Sequence, residues 1–296
     1  MMALITGFRG AAAFYLTQHL EARGDEVNCI GRPLIDLRDI PAVAAVLAQI
    51  SPNVIYHLAA DADVRASFEH PQEVISNNVD CTVGLFEAIR KSGLKPVVQI
   101  CSTSEVYGNA THHPIGEEWP IAPVNPYASS KAMQEIVAST YGQMLGVRVV
   151  ITRAFGYVNP RRADLSLTSF ARQIVEIELG RQEVLEHGNL ASIRSFCDAR
   201  DIVRAYARAA DLGEGVYNIG SEEPMSIWQA LQALMRMARV PIKTRLCPEL
   251  MRPTDITHAV PTCHKFRLAT GWEPKISFAE SLSWLLDEQR ARERLA

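Results

Sequence analysis

The 296 residues carry 30 Lys and Arg against 33 Asp and Glu, a formal net charge of −3, and 48% of them are hydrophobic. A chain this long and this apolar buries a large core and excludes a small stapled domain. Its nearly balanced charge excludes a general attraction to nucleic acid or to an anionic membrane, so neither is expected as a partner and any anionic ligand must be met by local basic residues.

Six dispersed cysteines (Cys29, Cys81, Cys101, Cys197, Cys247, Cys263) form no C-x-x-C pair, which reads as reduced thiols and no metal site. The apolar start Ala3-Leu4-Ile5 breaks at once into a glycine loop with no basic segment before it, unlike a signal peptide. No apolar run reaches the roughly 18 residues of a spanning helix, and the cytoplasm is the expected location.

In chain order, β-rich apolar runs at Ala3–Thr6, Glu26–Ile30, Val54–Leu58, Val97–Cys101 and Val147–Thr152 are separated by helix-length amphipathic segments. This is the rhythm of parallel βαβ units, and it predicts an α/β, Rossmann-type doubly wound sheet. Beyond residue 157 the rhythm turns irregular, with helices near Ser169–Leu179, Ala199–Ala210, Ile227–Ala238 and Phe278–Arg290 and short strands such as Val216–Ile219. Residues 1–157, joined by part of 197–220, are expected to form a cofactor domain, and 158–296 mainly a smaller substrate lobe. No Ser/Gly linker or repeat divides them, so the two should interleave around a cleft.

The loop Gly7-Phe8-Arg9-Gly10 follows the first run and opens a helix, where a dinucleotide's pyrophosphate rests on backbone N–H groups at the positive end of the helix dipole. Gly7 permits the turn, Gly10 lets a phosphate approach and Ala13 allows close packing. The second run ends Cys29-Ile30-Gly31-Arg32, without the acid that bonds the adenosine ribose in NAD-preferring folds. Arg32, helped by Arg9, is therefore expected to pair with the 2′-phosphate of NADP, with NAD as the alternative. Asp36 and Leu37 are expected at the adenine edge, and Leu58, Ala59 and Ala60 against the cofactor.

Polar side chains collect just past the strand ends, where parallel sheets place catalytic groups. His57-Leu58-Ala59-Ala60 closes one run, Cys101-Ser102-Thr103-Ser104-Glu105 closes the next, and Tyr127-Ala128-Ser129-Ser130-Lys131 begins a predicted helix. Four residues apart, Tyr127 and Lys131 share a face. An ammonium beside a phenol lowers its pKa of about 10, so Tyr127 is expected as base. Thr103 would hold the same substrate oxygen, and Lys131 would also bond the nicotinamide ribose.

These residues, with Asn78-Val79-x-x-Thr82, Thr103-Ser104-Glu105-x-Tyr107-Gly108, Arg252-Pro253-Thr254-Asp255 and Gly271-Trp272-x-Pro274, resemble the extended short-chain dehydrogenase/reductase superfamily over essentially the whole chain. Gly188-Asn189-Leu190 and Arg194-Ser195-Phe196, followed by Arg252-Pro253, are similar to the branch of GDP-mannose 4,6-dehydratase and GDP-4-keto-6-deoxy-mannose reductase. The resemblance implies a nucleotide-diphosphate sugar substrate, GDP-linked. Asn189, Arg194 and Arg252 would meet its diphosphate or base, Asp255 its ribose, and Ser104 the region of the sugar. It also implies a homodimer formed through the helices around Asn78–Arg90 and Tyr127–Tyr141.

Among activities, the resemblance makes Glu105 the base that removes the C5 proton in a 4,6-dehydratase, after C4 oxidation and before hydride return. That is the leading expectation, with the 4-keto reductase as alternative, because the short stretch between second and third runs and the overall length are closer to reductases. An epimerase, a decarboxylase and a non-catalytic NADP-binding protein remain further alternatives. One departure stands out: Gly156, in Arg153-Ala154-Phe155-Gly156, replaces an asparagine that normally touches substrate.

Overall fold

The computed structural model describes residues 1–295. Five strands, β1 (Met2–Thr6), β2 (Glu26–Ile30), β3 (Val54–His57), β4 (Val97–Thr103) and β5 (Val149–Ala154), are joined late in the chain by β6 (Gly215–Ile219). They form one parallel sheet in the order β6-β5-β4-β3-β1-β2. The helices, in chain order, are α1 (Ala11–Ala22), α2 (Ile40–Ile50), α3 (Val64–Glu69), α4 (Pro71–Ser92), α5 (Pro126–Leu145), α6 (Ser166–Glu178), α7 (Ala199–Ala209), α8 (Ile227–Met237), α9 (His264–Thr270) and α10 (Phe278–Leu295).

The central strands are apolar on both faces because both are covered, as parallel sheets require. Ala3, Ile5 and Tyr56 pack with Leu16 of α1 and Ile202 and Tyr206 of α7. Leu4, Ile55 and Val98 face the other way, toward Leu47 of α2, Phe86 of α4 and Ala138 of α5. A smaller α/β lobe has its own core, in which Phe170 and Ile174 of α6 meet Leu231 and Leu234 of α8 and Leu282 and Leu285 of α10. Among the described residues no helix is long and apolar enough to cross a membrane, and no cluster of His, Cys, Asp or Glu is arranged for a metal.

Several boundaries differ from expectation by a few residues. β4 runs on to Thr103, so Ser102 and Thr103 are sheet residues. α6 starts at Ser166, three residues early. Its first turn is masked in the hydrophobic pattern because Thr168 is buried, its hydroxyl donating to the Asn159 carbonyl at 3.0 Å.

A buried polar hub locks the sheet to α5. Arg153 on β5 and Glu135 on α5 form a forked pair at 2.7 Å, with side chains 5% and 4% exposed. The Ser102 hydroxyl donates to the same carboxylate. Arg153 also donates to the Tyr107 hydroxyl at 2.9 Å, which donates to Asn218 Oδ1 of β6 at 2.7 Å. Removing one member of such a pair strands the other charge in the core, at a cost of about 3–5 kcal/mol. Glu135→Ala should therefore lower unfolding free energy by about that amount in urea titrations, whereas loss of less than about 1 kcal/mol would contradict this role.

Candidate active site

β1 delivers Thr6 and Gly7 to the carboxyl edge of the sheet. Gly7 adopts φ +74°, and a Cβ there would stand 2.8 Å from the Ala59 Cα. Its N–H donates to the Ile30 carbonyl at 2.9 Å, which ties the ends of β1 and β2 together. Gly10 is the N-cap of α1, where no side chain caps the helix and no acid stands in the first turn. The helix start thus offers its backbone N–H groups and its positive dipole to an anion. This cradle of bare backbone, floored by Ala59, fits the pyrophosphate of NAD(P). Gly7, Arg9 and Gly10 would hold that group, with Leu58, Ala59 and Ala60 beneath it; Arg9 is exposed at the rim.

At the adenosine end Arg32 is exposed and donates to Asn77 Oδ1 at 2.9 Å. Asp36 accepts from Arg38 through Nε at 2.9 Å and Nη2 at 2.5 Å, and this bonding holds its carboxyl down to about 2. Arg38 carries no motif of its own in the sequence, yet it adds a second guanidinium here. Leu37 departs from expectation. Its side chain is buried in the core with α2 and α4, where an apolar group is better solvated than at an adenine edge.

From this cradle a buried hydrogen-bond chain runs to the catalytic helix. Thr6 Oγ1 accepts from the Ala59 N–H at 3.2 Å and lies 2.9 Å from His57 Nδ1; His57 Nε2 lies 3.0 Å from Thr82 Oγ1. The Thr82 hydroxyl donates to the Asn78 carbonyl at 3.0 Å and accepts from Gln134 Nε2 at 2.7 Å. Gln134 Oε1 in turn accepts from Lys131 Nζ at 2.7 Å. One assignment satisfies every member: Thr6 donates to Nδ1 and His57 carries its proton on Nε2. Burial, with Lys131 nearby, brings His57 down to about 3, so the ring is neutral.

α5 begins at Pro126, with Asn125 as N-cap accepting from the Ala128 N–H at 2.7 Å. Asn125 Nδ2 donates to Glu105 Oε2 at 2.7 Å, so Glu105 helps fix the helix start beside Tyr127. The Thr103 hydroxyl accepts from the Glu105 N–H at 3.3 Å, and Ser104 opens the short 3-10 turn Ser104–Tyr107. The structure thus brings Thr103, Glu105 and Tyr127 together, with Lys131 one turn further along α5.

The electrostatics differ from the expected phenolate. Burial pushes the Tyr127 phenol up; the Arg162 guanidinium opposes this, while Glu105 and Tyr157 add to it. Lys131 is brought down by burial to about 8, against the opposing influence of Cys101 and Glu135, and its hydrogen bond goes to Gln134. Arg162 and Gln134 were not singled out in the sequence. Gln134 lies on α5 three residues past Lys131, a helical-spacing signal that was available, whereas nothing local marks Arg162.

Opposite Glu105 stand the distal residues. Arg252 Nη1 lies 3.9 Å from Glu105 Oε1. Asp255 accepts from Asn189 Nδ2 at 2.7 Å, Ser192 Oγ at 2.8 Å and Arg194 Nη2 at 3.4 Å. Asp255 therefore organises the Asn189–Arg194 segment. Gly156 has a steric cause: a Cβ would stand 2.5 Å from the Ser195 carbonyl oxygen. The neighbouring backbone fills the space an asparagine side chain needs.

The sequence profile of the GDP-mannose 4,6 dehydratase family matches residues 33–284. The GDP-6-deoxy-D-mannose reductase of Pseudomonas aeruginosa is 29% identical over 297 residues, which cover 98% of this chain and 97% of that protein. The structure of RMD from Pseudomonas aeruginosa complexed with NADPH superposes with a TM-score of 0.90 at 28% identity, covering 99% of this chain and all of that one. The UDP-glucose 4-epimerase of Thermus thermophilus, in complex with NAD, gives 0.87 at 29% identity, covering 98% and 99%. With the Gly7 cradle in place of a bulkier turn, Gly7→Val should weaken NADPH binding more than about tenfold in fluorescence titrations, since it adds a clash and an unfavourable positive φ; unchanged affinity would reject this cradle. The chain belongs to the GDP-mannose 4,6-dehydratase family and is an NAD(P)-binding enzyme that modifies a nucleotide sugar.

Proposed function

We propose that this protein is an NADPH-dependent reductase of a GDP-linked 4-keto-6-deoxyhexose. The end-to-end match to the Pseudomonas reductase, 98% of one chain against 97% of the other, carries this reading. The state of Tyr127 supports it. Reduction of a C4 keto group requires an acid, a role suited to a phenol that burial pushes up. NADPH, when bound, supplies the hydride. Thr103 holds the C4 oxygen, Tyr127 gives it a proton, and Lys131 is kept in place through Gln134. Arg194, Arg252 and Asn189 meet the nucleotide diphosphate, and charge-assisted bonds suit that role. Arg32 and Arg38 at the adenosine end favour NADP over NAD.

A 4,6-dehydratase is the second reading, favoured by Glu105. Its carboxylate is partly exposed beside Tyr127 and Thr103, where a C5 base would stand. Stoichiometric NADPH oxidation, followed by the loss of its absorbance, is expected with GDP-4-keto-6-deoxy-mannose, with no reaction of GDP-mannose. Loss of water from GDP-mannose in mass spectra, with catalytic NADP and no net cofactor consumption, would overturn the reductase in favour of the dehydratase.

A homodimer belongs to the same proposal. α5 exposes Met133, Ile136 and Met144, which are 42%, 61% and 60% exposed, an apolar stripe suited to a partner helix. Ile136→Glu should convert a dimer to monomer in sedimentation at micromolar concentration, and a wild-type monomer there would count against pairing.

A further inference from the structure

We propose that His113 and His258 form a pH-sensitive clasp between the two lobes, closed while both imidazoles are neutral and opened in acid to release residues 254–258. The rings are stacked almost parallel, with centroids 3.6 Å apart and planes inclined by 13°. His113 lies on the loop between the Ser104–Tyr107 turn and α5, on the cofactor side, and His258 on a short strand of the smaller lobe. Backbone bonds hold the seam on one side of the stack: the Ile115 N–H donates to the Val260 carbonyl at 2.8 Å, and the Thr262 N–H to the Ile115 carbonyl at 2.9 Å. On the other side the bonds pass through exposed side chains. Asn109 Nδ2 donates to the Asp255 carbonyl at 3.3 Å, Asn109 Oδ1 accepts from the Thr257 N–H at 3.0 Å, and the Thr254 hydroxyl donates to the Val124 carbonyl at 2.9 Å.

Two imidazolium rings in this arrangement repel each other. A charged His113 would also place an N–H where there is no acceptor, because its Nδ1 is buried without a hydrogen-bond partner. The charged and titratable groups around the stack do not offset this. His112 is exposed, bonded to Thr111 Oγ1 at 3.0 Å and tilted against Trp119. The nearest acid to His258 along the chain, Asp255, already accepts from Asn189, Ser192 and Arg194. The nearest to His113, Glu117, accepts from the Asn218 N–H at 2.8 Å. The cations Arg194 and Arg252 face Asp255 and Glu105. Burial, and after it the facing His258 ring, hold His113 below the usual histidine range. The folded protein therefore binds fewer protons than the opened one, so the clasp has its full strength above the ordinary histidine value of about 6.5 and loses it as the pH falls through that value. Opening reaches the substrate side directly. His258 and Ala259 pair with Ile193 and Arg194, the Ile193 N–H donates to the Thr257 carbonyl at 2.8 Å, and Arg194 Nη2 donates to the Ile256 carbonyl at 2.5 Å. Release of residues 254–258 thus loosens Asp255 and Arg194 together and weakens nucleotide binding in acid, a consequence that rests on reading Asn189 and Arg194 as nucleotide ligands.

Amide hydrogen exchange, read by mass spectrometry on peptides spanning residues 188–196 and 254–262 at about pH 5.5 and about pH 7.5, tests the clasp without any ligand. After correction for the intrinsic pH dependence of exchange, opening of these peptides should increase about tenfold in acid, the factor for one histidine that is protonated only when open at one unit below its ordinary value. Peptides of β4 should show no such change. His113→Phe and His258→Phe each keep a ring in the stack and remove the pair of charges, and each should cut the acid effect to less than about threefold. A circular-dichroism melt at neutral pH establishes which variants are folded. No acid effect in the wild type, an equal effect in β4, or an undiminished effect in a folded variant would overturn the clasp. Calorimetric titration with GDP then tests the consequence: wild-type affinity should fall in acid about fivefold more than that of a folded variant, the ionisation of GDP itself cancelling in the comparison. Equal falls would overturn the coupling to the site. Should GDP bind neither protein at neutral pH while the exchange results still separate, the nucleotide reading fails and the clasp stands.

Discussion

The arrangement of this site depends on a neutral, buried histidine. His57 stands at the end of the central strand β3, with Thr6 of β1 on one ring nitrogen and Thr82 of α4 on the other. Since the ring stays uncharged, each nitrogen has a single role, and the direction of every bond from the Ala59 amide to Gln134 is determined. The dinucleotide cradle and the lysine of α5 are therefore parts of one polar network. A change that protonates or removes the imidazole would leave several buried donors and acceptors without partners at once.

Around that network the site separates tasks that the Tyr-Lys spacing alone would assign to one pair. Lys131 is a buried ammonium whose orientation is set by Gln134. Tyr127 is a partly buried phenol on a helix whose first turn is pinned by Asn125 and Glu105. The hub of Arg153 and Glu135 lies just beneath, tying β5 to the same helix and reaching β6 through Tyr107 and Asn218. Tyr107, which the sequence shows only as part of a strand-end motif, is thus a strut whose hydroxyl joins two charged or amide partners.

Much of this was legible because it follows from local chemistry. Alternating strands and helices, a glycine turn after the first strand, and Tyr127 and Lys131 one helical turn apart are all patterns of spacing, and the structure places them at one edge of one sheet. What escaped depends on contacts between distant segments. Leu37 looked like a ligand contact because of its position after β2, but an apolar side chain beside α4 is drawn into the core. Gly156 read as a lost amide, and only the Ser195 carbonyl, from a segment far along the chain, explains why no side chain fits. Arg162 has no motif at all. Its placement comes from Asp164 and from the Ala62 carbonyl, a hundred residues away in the chain.

The late arrival of β6 carries a consequence of its own. The chain leaves the sheet after β5, builds part of the smaller lobe and α7, and only then returns to complete the edge beside β5. The Tyr107–Asn218 bond and the β5–β6 ladder therefore cannot form until that excursion has been ordered. Closing so long a loop is entropically unfavourable and makes for slow, high-contact-order folding. A nascent chain released after β5 would present a bare parallel-sheet edge with its backbone donors and acceptors open to other chains. The two lobes are thus coupled in assembly as well as at the cleft: the edge that protects the cofactor sheet from mispairing is supplied by residues synthesised after the first helix of the substrate side.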